Sequence, residues 1–468
     1  MARLDPDRLF PLEDRSRAIA RALYRTVHDL PIISPHGHTD PRWFAENDPF
    51  PDPARLFVTP DHYVFRMLFS HGIPLEKLGV PRADGGEVET DGRAIWRLFA
   101  SNFHLFRATP SAMWIVHALQ DVFELETPLS AATADQTYDH IAERLTQAAY
   151  RPRALFERFG IEAIATTESA IDPLSWHQMI RNSDWAGRVI TTYRPDEVID
   201  PEFKGFSANL VTMGEMTGED TVTWAGYLAA HRNRRAFFKA HGATSSDHGH
   251  PSARTENLSQ ADAAALFDKA RAGTCTAQEA DAFRGQMLTE MARMSLDDGL
   301  VMQIHPGSVR NHSAGVLARF GRDKGFDIPG RTDYVNSLKP LLDAMGTDPR
   351  LSIILFTLDE TAYSRELAPL AGIYPSLKLG PAWWFFDSPE GMLRYRQMTT
   401  ETCGFYNTVG FNDDTRAFCS IPARHDVARR VDCAYLATLV ASGRLAEVDA
   451  FELAHDLSYR LAKEAYRL

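Results

Sequence analysis

The feature that most constrains this chain is a repeated switch between two hydrophobic periods. Short apolar, β-branched runs, each closing on polar or small residues, occur at Pro31–Ser34, Ile161–Thr167, Arg188–Tyr193, Ala243–Asp247, Leu300–His305, Leu351–Phe356, Leu377–Gly380 and Thr408–Asp413. Between most of them lie stretches with apolar residues three and four positions apart, the spacing of one helix face. These are Pro173–Asn182, Thr223–His241, Ala277–Leu296, Tyr334–Ala344, Met392–Thr402 and His425–Ser442. Strand and helix alternating eight times predicts an α/β fold, a (β/α)₈ TIM barrel. The doubly wound open sheet is the competitor, but no G-x-G-x-x-G follows any run.

The first two runs are far apart, and helical patterns fill the gap at Asp61–Ser70, Asp91–Phe103, Pro110–Val122 and Tyr138–Phe159. The expectation is a helical insertion in the first βα loop. The chain then divides into an N-terminal helix and first strand (1–40), the insertion (41–155) and the remaining barrel (156–468), with helical decoration around 206–296. No internal repeat or low-complexity linker interrupts it, so the insertions are expected to pack on the barrel.

Composition narrows the partners. A net charge of −12 and a pI near 5.8 argue against nucleic acid and anionic membranes, and leave room for a local basic pocket. No apolar stretch reaches the length that crosses a bilayer. The N-terminus is charged and lacks a signal-peptide core. Cys275, Cys403, Cys419 and Cys433 form no C-x-x-C pair, the pattern of buried thiols in a reducing cytoplasm.

Chemistry gathers at the ends of the runs, where barrels of this class place their active sites. The first run leads into His36-Gly37-His38, the third into Arg194, the fourth into Asp247-His248. The fifth ends at His305, the seventh leads into Trp383-Trp384, and the eighth into Asp413-Asp414-Thr415-Arg416. Alternate residues of an extended segment point the same way, so His36 and His38 can converge on one metal ion. Gly37 is read as clearing the backbone's approach. An isolated H-x-H is more often a polar loop; the company it keeps here turns the reading to metal binding.

An H-x-H after strand one, a histidine after strand five and an aspartate after strand eight resemble the metal-site pattern of the amidohydrolase superfamily. Within it the chain is similar to the uronate (glucuronate) isomerases over nearly its whole length. The pieces that carry the likeness are D-H-Y-V-F-R-M-L at Asp61–Leu68, T-T-Y-R-P-D at Thr191–Asp196, S-D-H-G at Ser246–Gly249, M-Q-I-H at Met302–His305, W-W-F at Trp383–Phe385, D-D-T-R at Asp413–Arg416 and R-H-D at Arg424–Asp426.

The resemblance implies a cytoplasmic enzyme that interconverts D-glucuronate with D-fructuronate, and D-galacturonate with D-tagaturonate. It implies one divalent metal, commonly zinc, on His36, His38 and Asp414, with His305 at or near it in a catalytic role. The fourth run carries no lysine, so a second metal is not expected. Where the family often has T-D-D-P after strand two, this chain has T-T-E-S-A-I-D-P at Thr166–Pro173. It also has D-D-T-R where Thr-Asp-Ser-Arg is usual, and alignment on Arg416 selects Asp414 over Asp413.

Isomerisation takes a proton from C2 and delivers one to C1 through an enediol. Asp414 is read as the general base, Tyr63 as donor or shuttle at a substrate oxygen, and His62 as its neighbour. Arg194 and Arg416 match the substrate carboxylate, and Trp384 closes over the sugar. Each has a plainer reading: Tyr63 and His62 as half-buried surface, Arg194 as a loop partner of Asp196, the tryptophans as core, Asp247-His248 as a helix cap. His312 and His425 read as structural. The runner-up activity is a metal-dependent hydrolase of the same superfamily. Self-association is common among barrel enzymes, and the sequence carries no interface signature.

Overall fold

The computed structural model describes residues 4–468; Met1–Arg3, the start of the charged N-terminus, lie outside the described residues. The strands are β1 (Ile32–Ser34), β2 (Ile161–Ser169), β3 (Val189–Arg194), β4 (Ser245–His248), β5 (Val301–Ile304), β6 (Ser308–Val309), β7 (Ile328–Pro329), β8 (Ile353–Leu355) and β9 (Leu377–Leu379). Seven pair in parallel in the order β1-β2-β3-β4-β5-β8-β9. Every residue of β1, β4, β5 and β8 is buried, as a sheet covered by helices requires. β6 and β7 form a small antiparallel hairpin in the loop after β5, which the periodicity did not reveal.

The eighth run departs from expectation. Thr408–Asp413 contributes a single parallel bridge, Thr408 to Leu379, and no ladder, so the described sheet is a curled half-barrel of seven strands. The cause is local: Gly410 at φ +74° and Asp414 at φ +37° turn the backbone away from extended geometry. Tyr138–Phe159, expected as one helix, is two, Ala134–Leu145 and Pro152–Arg158. Proline has no N–H to donate and is tolerated in the first turn of a helix, so Pro152 begins the second.

The insertion is welded to the sheet. Phe44, Phe57, Trp96 and Phe99 bury in the same apolar cluster as Ile32, Ile161, Ile164 and Val189. Its helix His62–Ser70 is capped by Asp61, whose carboxylate accepts from Tyr63 N at 2.8 Å. That cap fixes where the side chains of the first helical turn point. The N-terminal helix Asp14–Val27 packs instead on the C-terminal helices, Leu23 and Val27 meeting Leu436 and Leu453.

β2 presents Thr167 and Ser169 to a cavity, and the alternate residues Thr166 and Glu168 point to the covering helices. There His177 Nε2 lies 2.9 Å from Thr166 Oγ1 and 3.7 Å from Glu168 Oε2. Burial pushes the Glu168 carboxyl up to about 8, against the pull of the Thr166 and Thr191 hydroxyls, and pushes His177 down to about 4. A carboxyl whose folded pKa exceeds its unfolded one binds more protons in the native state. Its contribution is therefore full below about pH 4.5 and lost as pH rises through about 8. Glu168→Gln is expected to flatten that decline and raise Tm at pH 8 relative to the parent. Equal Tm–pH profiles in scanning calorimetry from pH 5 to 8 would refute it.

Candidate active site

One cavity of about 810 Å³ opens at the C-terminal ends of the strands, lined by side chains from the segment after β1, from β2 and β3, from the loop after β5 and from the segment around Asp414. The segment after β1 is pinned from both sides: His38 N donates to Thr415 O at 3.1 Å and Thr167 Oγ1 to Gly37 O at 3.0 Å. His36 Nε2 and His38 Nε2 then stand 3.6 and 3.3 Å from Asp414 Oδ1. A Cβ on Gly37 would meet only ordinary contacts, the nearest Ala165 O at 3.5 Å. The space does not demand glycine there, contrary to the sequence reading.

Asp414 is held in the left-handed region, a strained setting for a residue with a Cβ. Its Oδ2 accepts from the Trp383 indole N–H, while Oδ1 is buried with no hydrogen-bond partner. Burial alone would raise this carboxyl, but the two imidazoles and the indole outweigh it and hold it far below the usual carboxylate range. Asp413 turns the other way, accepting from His425 Nε2 at 3.0 Å.

Two imidazoles and an orphaned carboxylate oxygen, their ligand atoms all within 4.8 Å of one another, fit a divalent cation by donor type and number. His305 stands apart from this trio. Its Nε2 lies 2.8 Å from Asp247 Oδ1, close but not aligned for a hydrogen bond, and its ring centre is 6.4 Å from that of His36.

The other expected residues fall as follows. Arg194 Nε donates to Asp196 Oδ2 at 2.8 Å and Nη1 lies 3.4 Å from Asp247 Oδ2. Arg416 Nη1 donates to Asp323 O at 3.1 Å. Tyr63 OH donates to Asp387 Oδ2 at 3.0 Å, with Trp384 O 3.2 Å away as a second acceptor for the same hydrogen. Burial, reinforced by Asp387, raises the phenol well above its ordinary value, so it stays protonated. Burial, with Arg416 and Arg66 nearby, pushes His62 well below its own, so it stays neutral. His62 meets Trp384 edge to face at 6.0 Å. Arg194, Arg416, Tyr63, His62 and Trp384 all line the cavity.

A profile of the glucuronate isomerase family matches residues 10–466. The chain belongs to the glucuronate isomerase family. Its relatives include the uronate isomerase of Rhizobium meliloti, 68% identical over 99% of both chains, and that of Mesorhizobium japonicum, 67% identical over the full length of both. The crystal structure of glucuronate isomerase from Caulobacter crescentus superposes with a TM-score of 0.98 at 59% identity, covering 99% of this chain and 97% of that one. The chain is an isomerase of uronates.

Several contacts in this cavity escaped the sequence reading. Trp383, rather than Trp384, bonds to Asp414. Asp387 joins Tyr63 to Arg424, whose Nη1 donates to Asp387 Oδ2 at 2.8 Å and whose guanidinium lies 3.6 Å from the Trp114 ring centre. Of Asp387, Arg424 and Trp114, only Arg424 carried a hint, in the R-H-D piece. Asp247 and His248 are strand residues of β4, not a helix cap, and Asp247 bridges His305 and Arg194. A Cβ on Gly249 would lie 2.6 Å from Arg194 Nη2 and 2.9 Å from Asp196 Oδ2 and His305 Cε1, so these cavity side chains would have to shift to admit one.

Proposed function

We propose that this cavity interconverts D-glucuronate with D-fructuronate, and D-galacturonate with D-tagaturonate, by proton transfer between C2 and C1. The observation that carries the reading is the trio His36, His38 and Asp414 beside a protonated phenol and guanidinium groups in one cavity. His36, His38 and Asp414 would hold one divalent metal, zinc in the resembling family, which supplies Lewis-acid polarisation of the substrate's oxygens when bound.

Asp414 takes the proton from C2 and returns it to C1, its second oxygen anchored by the Trp383 indole. A carboxylate kept ionised in a buried site is a positioned base, the arrangement from which general base catalysis draws its rate. Tyr63, kept protonated by burial and placed by Asp387, turns its one O–H from Asp387 to the oxygen on which enediolate charge develops. Neutral His62 supports that oxygen's neighbour, and His305, braced by Asp247, serves the same face. Arg416 and Arg194 orient the sugar acid, and Trp384 excludes water above it.

The eighth run completes the barrel between β9 and β1, supported by Val409 N donating to Leu379 O at 3.1 Å and by the His38 to Thr415 contact. No described helix is long and apolar enough to cross a membrane, and the four cysteines are free thiols, which accords with a cytoplasmic enzyme.

The test is proton NMR of D-glucuronate in D₂O with the zinc-loaded enzyme, alongside His36→Ala. Expected are ketose formation with deuterium entering the carbon-bound positions, and loss of both in the variant. No change in glucuronate or galacturonate, with metal confirmed bound, would overturn the reading.

A further inference from the structure

One strand step below the cavity, the sheet carries a second tier of polar side chains that no step of the proposed reaction uses. Thr192 Oγ1 lies 3.2 Å from Ser245 Oγ, and Gln303 Nε2 donates to Ser245 Oγ at 3.3 Å. Tyr466 OH donates to Gln303 Oε1 at 3.0 Å, and Asn412 Nδ2 stands 3.5 Å from that hydroxyl. All five residues are at most 3% exposed.

This tier is in step with the chemistry above it. Thr192 and Arg194 lie two apart on β3, Ser245 and Asp247 two apart on β4, and Gln303 of β5 precedes His305 by two. Residues two apart on a strand face the same way, so each polar residue stands under a side chain of the site. Asn412 precedes Asp414 by the same two positions. The segment that carries Asp414 joins the sheet through a single bridge, Thr408 to Leu379, and the Tyr466 hydroxyl gives it a second tie, to β5. The helix before that tyrosine, Leu461–Ala465, seats on the same segment: a Cβ on Gly410 would lie 2.9 Å from Leu457 O and 3.2 Å from Ala462 N. The Tyr466 ring buries with Val409, Phe356 and Trp383, whose indole bonds to Asp414. Burial raises the phenol well above its ordinary value, with Asp247 and Asp414 adding to it, so the hydroxyl keeps its proton.

We propose that Tyr466 is a positioning residue for this site: its hydroxyl ties Gln303 to Asn412 and so sets Asp414 against the strand ends that carry Arg194, Asp247 and His305. The kinetic arm of the inference rests on the uronate reading of the cavity. Groups that orient a ligand or a base without touching substrate govern affinity and rate by about 10- to 100-fold.

The experiment compares the parent with Tyr466→Phe, Gln303→Met and the double variant, with Tyr227→Phe as control. Tyr227 is an equally buried tyrosine outside the tier, its OH donating to Val198 O at 2.7 Å. Measured are kcat and KM for D-glucuronate at saturating zinc, zinc affinity by chelator competition, and Tm. Tyr466→Phe is expected to lower kcat and zinc affinity about tenfold each, with KM within about twofold of the parent. Gln303→Met is expected to match it, and the double variant to lose no more than the worse single, since both break one bond. Tyr227→Phe is expected to keep parental kcat and zinc affinity even where its Tm falls. Parental kcat and zinc affinity in Tyr466→Phe would overturn the proposal. So would equal losses in Tyr227→Phe, which mark a general effect of stability, or losses that multiply in the double variant. Should Tyr466→Phe fail to fold, Gln303→Met decides on the same readouts. Absence of turnover by the parent would refute the uronate reading itself, while zinc affinity still tests the positioning.

Discussion

Asp414→Asn is expected to lower kcat for D-glucuronate by about a thousandfold while the chain stays folded. Asparagine keeps the shape of the side chain and can still accept from the Trp383 indole, so the packing around Oδ2 survives. What it loses is the charge that faces His36 and His38 at 3.6 and 3.3 Å, and with it the basicity needed to remove the C2 proton. The exchange of that proton with D₂O, followed by NMR, reads the lost step directly. Metal content measured on the same sample separates loss of a ligand from loss of a base. A variant that binds metal at parental stoichiometry yet exchanges slowly supports the base assignment; one with kcat within tenfold of the parent sinks it.

Arg424→Gln is expected to be among the most destabilising single changes in the chain. The side chain is 2% exposed, and it is tied to Asp387 Oδ2 at 2.8 Å, to Asp413 O at 3.3 Å and to Ser420 Oγ at 3.2 Å. Removing one partner of a buried ion pair strands the other, at a cost of about 3–5 kcal/mol. Asp387 would be the stranded group, and burial already pushes its carboxyl up even with Arg424 in place.

Without the arginine that upward shift must grow, so the variant's deficit should widen as pH rises from 5 to 8, where the unfolded carboxylate is ionised and the folded one resists ionisation. Asp387→Asn in the same background should recover part of the loss, because the two sites share one interaction. Thermal unfolding of the two single variants and the double variant, at both pH values, tests this. Additive losses, or a deficit independent of pH, would refute it. Activity should fall as well, since Tyr63 OH takes its direction from Asp387.

Most of the parallel strands were legible because they are short and buried on both faces, which leaves an apolar run in the sequence, as in β1, β5 and β8; β4, Ser245–His248, is polar throughout and was marked by the small and apolar residues that lead into it. The eighth strand was not, because Thr408–Asp413 carries the same apolar signal while the turn at Gly410 depends on a backbone angle. The break at Pro152 could have been read from the proline. The hairpin of β6 and β7, two residues in each strand, is too short to leave a period. In the cavity, strand-end position singled out His36, His38, Arg194 and His305 as chemistry-bearing. It was silent on pairing: Arg194 and Arg310 are alike in sequence, yet one is saturated by carboxylates and the other is not.

The sequence by itself determined the alternation of strand and helix, the insertion after the first strand and membership of the glucuronate isomerases, because periodicity and local motifs are properties of neighbours along the chain. Only the tertiary structure decided which tryptophan grips the Asp414 carboxylate, which groups join Tyr63 to Arg424, and which arginines retain free donors. Those outcomes rest on contacts such as Tyr63 with Asp387, 324 positions apart, and Trp383 with Asp414, 31 apart. They are set by a backbone angle or by the arrival of a distant partner, and neither leaves a mark in local residue spacing.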